Sequence, residues 1–442
     1  MGKNVLDREW DTVTLLKFSF PTMVMMLLMG LYTLTDTIFV ARFVNTDALS
    51  AVNIVCPVVN LTVGFGTMLA AGGNAVISRE MGTGACKRAR EDFTLLVWTG
   101  AALGVLIGLL GTLWLERIVR ILGASERLFP YCREYLAVWF WFVPANVLQT
   151  LFANLFVTAG KPGLGFGLSA LSGAVNIGLD YVFLELCGFG IGGAALGTGF
   201  SYLIPAAAGV IFFAKSRGAL RFTGLKWRRR VLWESCLNGS SELVSQLASA
   251  VTTFLFNAAM LELRGEDGVA AITILIYAQF LLNTVYIGYS MGVAPVVGFL
   301  FGNGDVVRQK RVFRSSIRFI AVVSAAVFLT AKLGGPEIAR LFAAGVPEVR
   351  WLAEEGFAIF SYSFLFCGWN VFVSAMFTAL SNGRVSALLS FLRTFGFLSG
   401  GIILLPRFLG VTGVWLAVPL AEGVMFLISV LCLVHFKKQY GY

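Results

Sequence analysis

Histidine is nearly missing from this chain of 442 residues, with His435 alone, and charged residues make up only 13% of it. Soluble domains carry about 25% charge, so a water-facing globule is excluded. A single histidine leaves no nucleophile–base partnership and no zinc motif of the H-E-x-x-H type, which argues against a membrane-embedded enzyme. His435 stands beside Lys437 and Lys438 at the last helix end, the position of an interfacial residue. Cysteine is sparse as well. Cys56, Cys86, Cys132, Cys187, Cys236, Cys367 and Cys432 are scattered without a C-x-x-C pair, against a disulfide framework or a zinc site. No polar stretch is long enough for a soluble domain, the longest being 215–231. A cleavable signal peptide is not expected either, because Lys3, Asp7, Arg8, Glu9 and Asp11 make the first segment charged.

What remains is apolar. Hydrophobic residues are 57% of the chain and mean hydropathy is +0.81. A transmembrane helix needs about 20 mostly apolar residues. Such runs fall at 16–41, 49–77, 93–115, 131–157, 163–187, 190–214, 232–262, 268–299, 314–333, 352–379, 385–405 and 411–436. Twelve spans are therefore expected in an all-α integral membrane protein. The net charge of +10 would suggest nucleic acid in a soluble chain. Here the larger share of Lys and Arg lies on the side of the N-terminus and the even-to-odd loops, the bias that orients membrane proteins. Both termini are expected in the cytoplasm and the chain in the plasma membrane, with no nucleic-acid partner. The basic run Lys226-Trp-Arg-Arg-Arg230 fits topology determination and attraction to anionic lipid.

The chain repeats itself. A shift of 220 residues lays Gly82-Thr-Gly84…Arg88…Phe93 on Gly302-Asn-Gly304…Arg308…Phe313, and Gly190-Ile-Gly-Gly193 on Gly410-Val-Thr-Gly413. With a one-residue adjustment, Thr158-Ala159 falls on Thr378-Ala379. Six spans per copy is an even number, so both copies face the same way, about a pseudo-two-fold axis along the membrane normal. The expected organisation is a first lobe at 1–214, a linking loop at 215–231 and a second lobe at 232–442.

Within the first lobe, Asp36 and Asp180 lie inside apolar runs that contain no basic partner. A carboxylate in hydrocarbon costs about 2.5–3.5 kcal/mol on insertion scales, so such residues usually serve ions, protons or charged substrates rather than helix packing. Asn176 is one turn before Asp180 and shares its face. Thr198 enters the sixth span at a similar depth. Two carboxylates, an amide oxygen and a hydroxyl at one level suit a small hard cation, or equally a carboxyl pair sharing a proton.

Pro21, Asp36, the Asn176-x-x-x-Asp180 pair and Thr198 together resemble the N-lobe signature of the multidrug and toxic-compound extrusion (MATE) transporters, of the N-lobe aspartate type. The resemblance extends over the whole chain, with twelve spans, two six-helix lobes, a long middle loop and Gly-x-x-Gly entries to spans six and twelve. It implies a cation site at Asp36, Asn176, Asp180 and Thr198, taking Na⁺ or H⁺, and a bend of the first helix at Pro21. It further implies export of hydrophobic or cationic compounds by a monomer, driven by inward ion flow, with no catalytic residues and no cofactor beyond the coupling ion.

The second lobe departs from one branch of that family, since Gly356–Ala379 contains no acid. Its remaining intramembrane charges are Glu242, Arg393 and Glu422, and Arg393 is expected to pair with Glu242 or Glu422. Gln149, Gln279 and Asn283 are candidate cleft-lining groups. A lipid or lipid-linked oligosaccharide flippase of the same superfamily is the alternative, although such proteins favour a cationic central cavity.

Overall fold

The computed structural model describes residues 5–343 and 345–442, leaving aside the side chains of Ala41 and Thr46. Apolar sequence with its backbone bonds closed within each segment can cross a bilayer only as helix or closed barrel, and the described residues are helical throughout the spans. The first lobe comprises α1 (Thr12–Phe43), α2 (Thr46–Gly82), α3 (Cys86–Leu113), α4 (Phe129–Thr158), α5 (Pro162–Leu186) and α6 (Gly190–Lys215), with a short helix Leu115–Ile121 between α3 and α4. In the second lobe, one continuous 75-residue helical stretch, Arg229–Asn303, is broken at Gly265, whose φ of 64° and ψ of −150° turn the chain back on itself. This gives α7 (229–264) and α8 (266–303). They are followed by α9 (Val306–Phe342), α10 (Pro347–Ala379), α11 (Gly383–Leu409) and α12 (Val411–Tyr440). Twelve spans in two six-helix lobes result.

The sequence repeat is a repeat of contacts. Equivalent residues Gly82 and Gly302 meet the opposite lobe in the same way: a Cβ on Gly82 would overlap the carbonyl oxygen of Phe299, and one on Gly302 would overlap that of Arg79. Arg79 and Phe299 are themselves related by the same shift. Likewise a Cβ on Gly72 would run into Ser235 and Gly239, while one on Gly292 would run into Ser19 and Thr22. Reciprocal contacts of this kind are what a two-fold relation produces. The lobe boundary is thus built from α1, α2, α7 and α8, with glycines letting backbone reach backbone. Pro21 lies on α1 at this boundary, beside the contacts of Gly288 and Gly292 with Ser19–Met23.

The start of the described residues and the C-terminal end both lie against the start of α9, at one face called here the terminal face, and two segments clasp the lobes there. The leading segment before α1 reaches α9 of the other lobe: Asp7 pairs with Arg308 at 3.0 Å and Glu9 with Arg311 at 2.7 Å. The 216–228 segment before α7 lies along α3 of the first lobe. It is a docked strap, with Leu220 buried, the Phe222 ring 5.2 Å from that of Phe93, and Thr223 N–H donating to Thr94 Oγ1 at 3.0 Å. Arg90 Nε donates to Ala219 O at 2.9 Å. Arg228 binds Glu91 and Asp92, so part of the basic run expected to face lipid is committed to protein; Trp227 remains exposed.

Candidate functional site

Asp36 on α1 and Asp180 at the end of the α-helical part of α5 approach each other with carboxyl facing carboxyl. Asp180 is fully buried and Asp36 half-buried. Neither oxygen of Asp180, nor Oδ1 of Asp36, receives a well-aligned donor, and Asn176 Oδ1 is equally without one. The Asn176 amide donates to Thr198 Oγ1 at 3.4 Å. All four polar residues named from the sequence are therefore in one place, in the half of the first lobe away from the terminal face. A π-helical segment, Tyr181–Leu186, begins immediately after Asp180, an irregularity often found at functional sites. Gly197 on α6 supports the pocket by having no side chain, because a Cβ there would overlap Asp180 Oδ1.

Two carboxylates without donors are not a resting arrangement in low dielectric. A buried acceptor left unpaired costs about 1–3 kcal/mol, more when charged, and like charges add to it. Such a pair is relieved by a shared proton or by a cation between its oxygens. The oxygen-only donor set of Asp36, Asp180, Asn176 and Thr198 has the chemistry for a small hard cation.

Sequence reading missed the aromatic wall around this pair. Tyr32, Tyr135 and Tyr202 lie in the field of the Asp36 carboxylate. Trp139 stacks on Tyr135 with ring centroids 6.3 Å apart and meets Tyr202 edge-on at 6.1 Å. Its indole N–H donates to Thr62 Oγ1 at 3.3 Å, and Trp139 is part of the buried core. Tyrosines on helical spacing in an aromatic-rich chain carry no signal that separates wall from packing.

In the second lobe, Arg393 chooses Glu422: its Nη2 and Nε lie 2.6 and 2.8 Å from Oε1. Asn370 Nδ2 donates to Glu422 Oε2 at 2.7 Å, and Ser429 Oγ joins Asn370 to the Trp369 indole. Arg393 sits in a second π-helical segment, Leu392–Leu398. Glu242 stands apart from this network and makes no ion pair or hydrogen bond among the described residues. Of the proposed cleft groups, Asn283 accepts from Cys367 Sγ at 3.2 Å, and Cys367 Sγ in turn accepts from Arg393 Nη2 at 3.1 Å, so Asn283 belongs to the Arg393 cluster. Gln149 and Gln279 are half-buried.

Two six-helix lobes related by a two-fold, with a polar pocket inside one of them, have the architecture of membrane transporters built from parallel repeats. The MatE family model matches residues 21–182 and 243–398. The chain belongs to the MatE family, the multidrug and toxic-compound extrusion transporters; it is a membrane transporter, not an enzyme. It is 24% identical over 418 residues to the multidrug export protein MepA of Staphylococcus haemolyticus, covering 93% of this chain and 90% of that one. It is 23% identical over 425 residues to MepA of Staphylococcus aureus strain MRSA252, covering 94% and 92%. Among solved structures, an outward-facing multidrug resistance MATE family transporter of the MOP superfamily superposes with a TM-score of 0.92 at 22% identity, over 99% of each chain. A MOP superfamily transporter from Pyrococcus furiosus, described as having a binding pocket of reverse polarity that suggests a different function, superposes at 0.90 with 22% identity, over 99% of each. These likenesses carry the fold.

Proposed function

We propose that this protein is a secondary active exporter of hydrophobic and cationic compounds, driven by inward flow of Na⁺ or H⁺ through the Asp36–Asp180 pair. The observation that carries this reading is the facing of the buried Asp180 carboxyl and the half-buried Asp36 carboxyl, three of whose four oxygens lack a hydrogen-bond donor. Such a pair binds one positive charge strongly and two poorly, so its occupancy changes with the side of the membrane it faces.

In this mechanism a cation or proton enters from the outside and neutralises the pair. Asn176 and Thr198 supply the further oxygens. Loss of the repulsion lets α1 and α5 close on each other, with Pro21 the place on α1 where a missing N–H eases bending. The reshaped lobe expels its cargo, and release of the ion to the cytoplasm restores the binding form. Differential affinity of the two arrangements for ion and cargo is what links the flows. The acidic pocket, walled by Tyr32, Tyr135 and Tyr202, suits organic cations through charge and aromatic faces. Arg393 is held by Glu422 and offers no free cation for a phosphate headgroup, which favours a drug exporter over a lipid flippase. The reading places the chain in the plasma membrane with both termini cytoplasmic.

Purified protein in proteoliposomes, given a fluorescent organic cation and separate pH and Na⁺ gradients, tests this directly. Uptake against the cation's own gradient is expected with one of the two ions. Transport indifferent to both gradients would rule the proposal out.

A further inference from the structure

A second carboxyl pair lies at the terminal face, beneath the 216–228 strap. Glu80, near the end of α2, faces Asp92 on α3. Asp92 is fully buried, and its Oδ2 together with Glu80 Oε2 are buried without a hydrogen-bond donor. The other Asp92 oxygen accepts from Arg228 Nη1 at 2.9 Å. Arg228 Nη2 also binds Glu91, and Lys226 Nζ is 2.7 Å from Glu91 Oε1. Arg79, adjacent to Glu80 and acting on it, spans the lobe boundary to Glu234 on α7 at 2.6 Å. Lys87 and Arg88 also act on the cluster; both are exposed on the first turn of α3, where water and salt screen them. Arg90, half-buried between α3 and the strap, is engaged through its Nε with Ala219 O at 2.9 Å.

Charge counting decides the state of the pair. With one proton shared between Glu80 and Asp92, two negative charges remain on the three acids and face the two strap cations Arg228 and Lys226. The cluster is neutral, and Arg79 is left to Glu234. Without that proton the acids carry one charge too many, and Arg79, a partly buried cation already acting on Glu80, is drawn toward it. Recruiting Arg79 breaks its bridge to Glu234. A metal ion is a poor substitute for the proton, because Arg228 already lies against Asp92.

We propose that Glu80 and Asp92 form a proton-binding site, separate from the Asp36–Asp180 pair, whose occupancy holds the Arg79–Glu234 bridge closed and whose deprotonation releases the lobes at the terminal face. The first lobe would then carry two carboxyl pairs, one toward each face of the membrane.

Spin labels on Thr83→Cys at the end of α2 and Arg384→Cys at the start of α11 report the lobe spacing in the full chain. The labels are placed in a variant freed of reactive native cysteines, reconstituted in lipid nanodiscs at fixed Na⁺ without cargo. The parent should show a short distance in mild acid and a longer one in mild alkali. Glu80→Gln, which keeps the side chain's shape and fixes it uncharged, should hold the short distance at every pH, and Asp92→Asn should do the same. Glu234→Gln should give the long distance at every pH. A parent without a pH response overturns the proposal. So does a response that survives Glu80→Gln or follows Na⁺ instead of pH.

Discussion

Gly197 and Asp180 are fitted to each other: the α6 backbone runs so close to the Asp180 carboxyl that a single added methyl group would occupy the place of Oδ1. Gly197→Ala keeps every charged and polar group of the pocket and changes only this clearance. It should displace the carboxyl from Asp36 and lower ion-driven export by about ten-fold or more, as about 1 Å displacements do in preorganised sites. Expression and membrane insertion should be close to normal. Vesicle efflux rates set against the amount of protein by size-exclusion profile make the measurement.

Asp36→Asn and Asp180→Asn replace a carboxylate with a neutral isostere that cannot bind or release a proton. Either change should abolish coupled export while leaving cargo binding detectable. Ligand binding followed by tryptophan fluorescence, alongside gradient-driven transport, separates the two effects. Full coupling by either variant would show that the charge on that residue is dispensable.

Gly82→Ala and Gly302→Ala should each destabilise the closed lobe boundary by a similar amount, because the two glycines make equivalent contacts. Overpacking typically costs about 1–3 kcal/mol. Lower thermal unfolding midpoints of matching size are expected, with a longer lobe spacing at the terminal face. Unequal effects would count against the reciprocal geometry.

Arg393→Met or Glu422→Gln leaves one member of a mostly buried ion pair without its partner, a change that costs about 3–5 kcal/mol. The double variant Arg393→Met with Glu422→Gln should recover much of that loss. A double-variant cycle on thermal stability reads the coupling. Additive losses would mean the two groups are not energetically paired.

Asp305 caps α9, accepting from Arg308 N–H at 2.9 Å and from Arg308 Nε at 2.7 Å. The capped backbone N–H and the guanidinium hold its carboxyl below the usual carboxylate range. Its contribution is therefore complete above the unfolded-state value and is lost as pH falls through the lower, folded-state value. Asp305→Ala should cost about 1 kcal/mol at neutral pH, and the gap from the parent should close in acid. Thermal unfolding across that range gives the comparison.

The spans, the repeat and the depth of Asp36, Asn176, Asp180 and Thr198 could be read from the chain because hydrocarbon tolerates few residue types. Any carboxylate among 20 apolar residues is conspicuous. The choice of Arg393 for Glu422 over Glu242 could not be read, since both acids sit at plausible depths and only helix rotation separates them. The Glu80–Asp92 pair escaped notice for the opposite reason. Acids at span ends are ordinary, and nothing local says that a strap more than 130 residues later in the chain will cover them. The complement of Glu91-Asp92 to Lys226-Trp-Arg-Arg-Arg230 was the available signal.

The two clasps at the terminal face use opposite polarity. An acidic leader, Asp7 and Glu9, grips Arg308 and Arg311, whereas a basic strap, Lys226 and Arg228, grips Glu91 and Asp92. In a tandem of near-equivalent halves, each leader has two look-alike third helices on which to settle. Inverting the sign makes the wrong choice repulsive: the acidic leader would meet acids on α3, and the basic strap would meet arginines on α9. The asymmetry thereby gives a duplicated fold a single way to assemble.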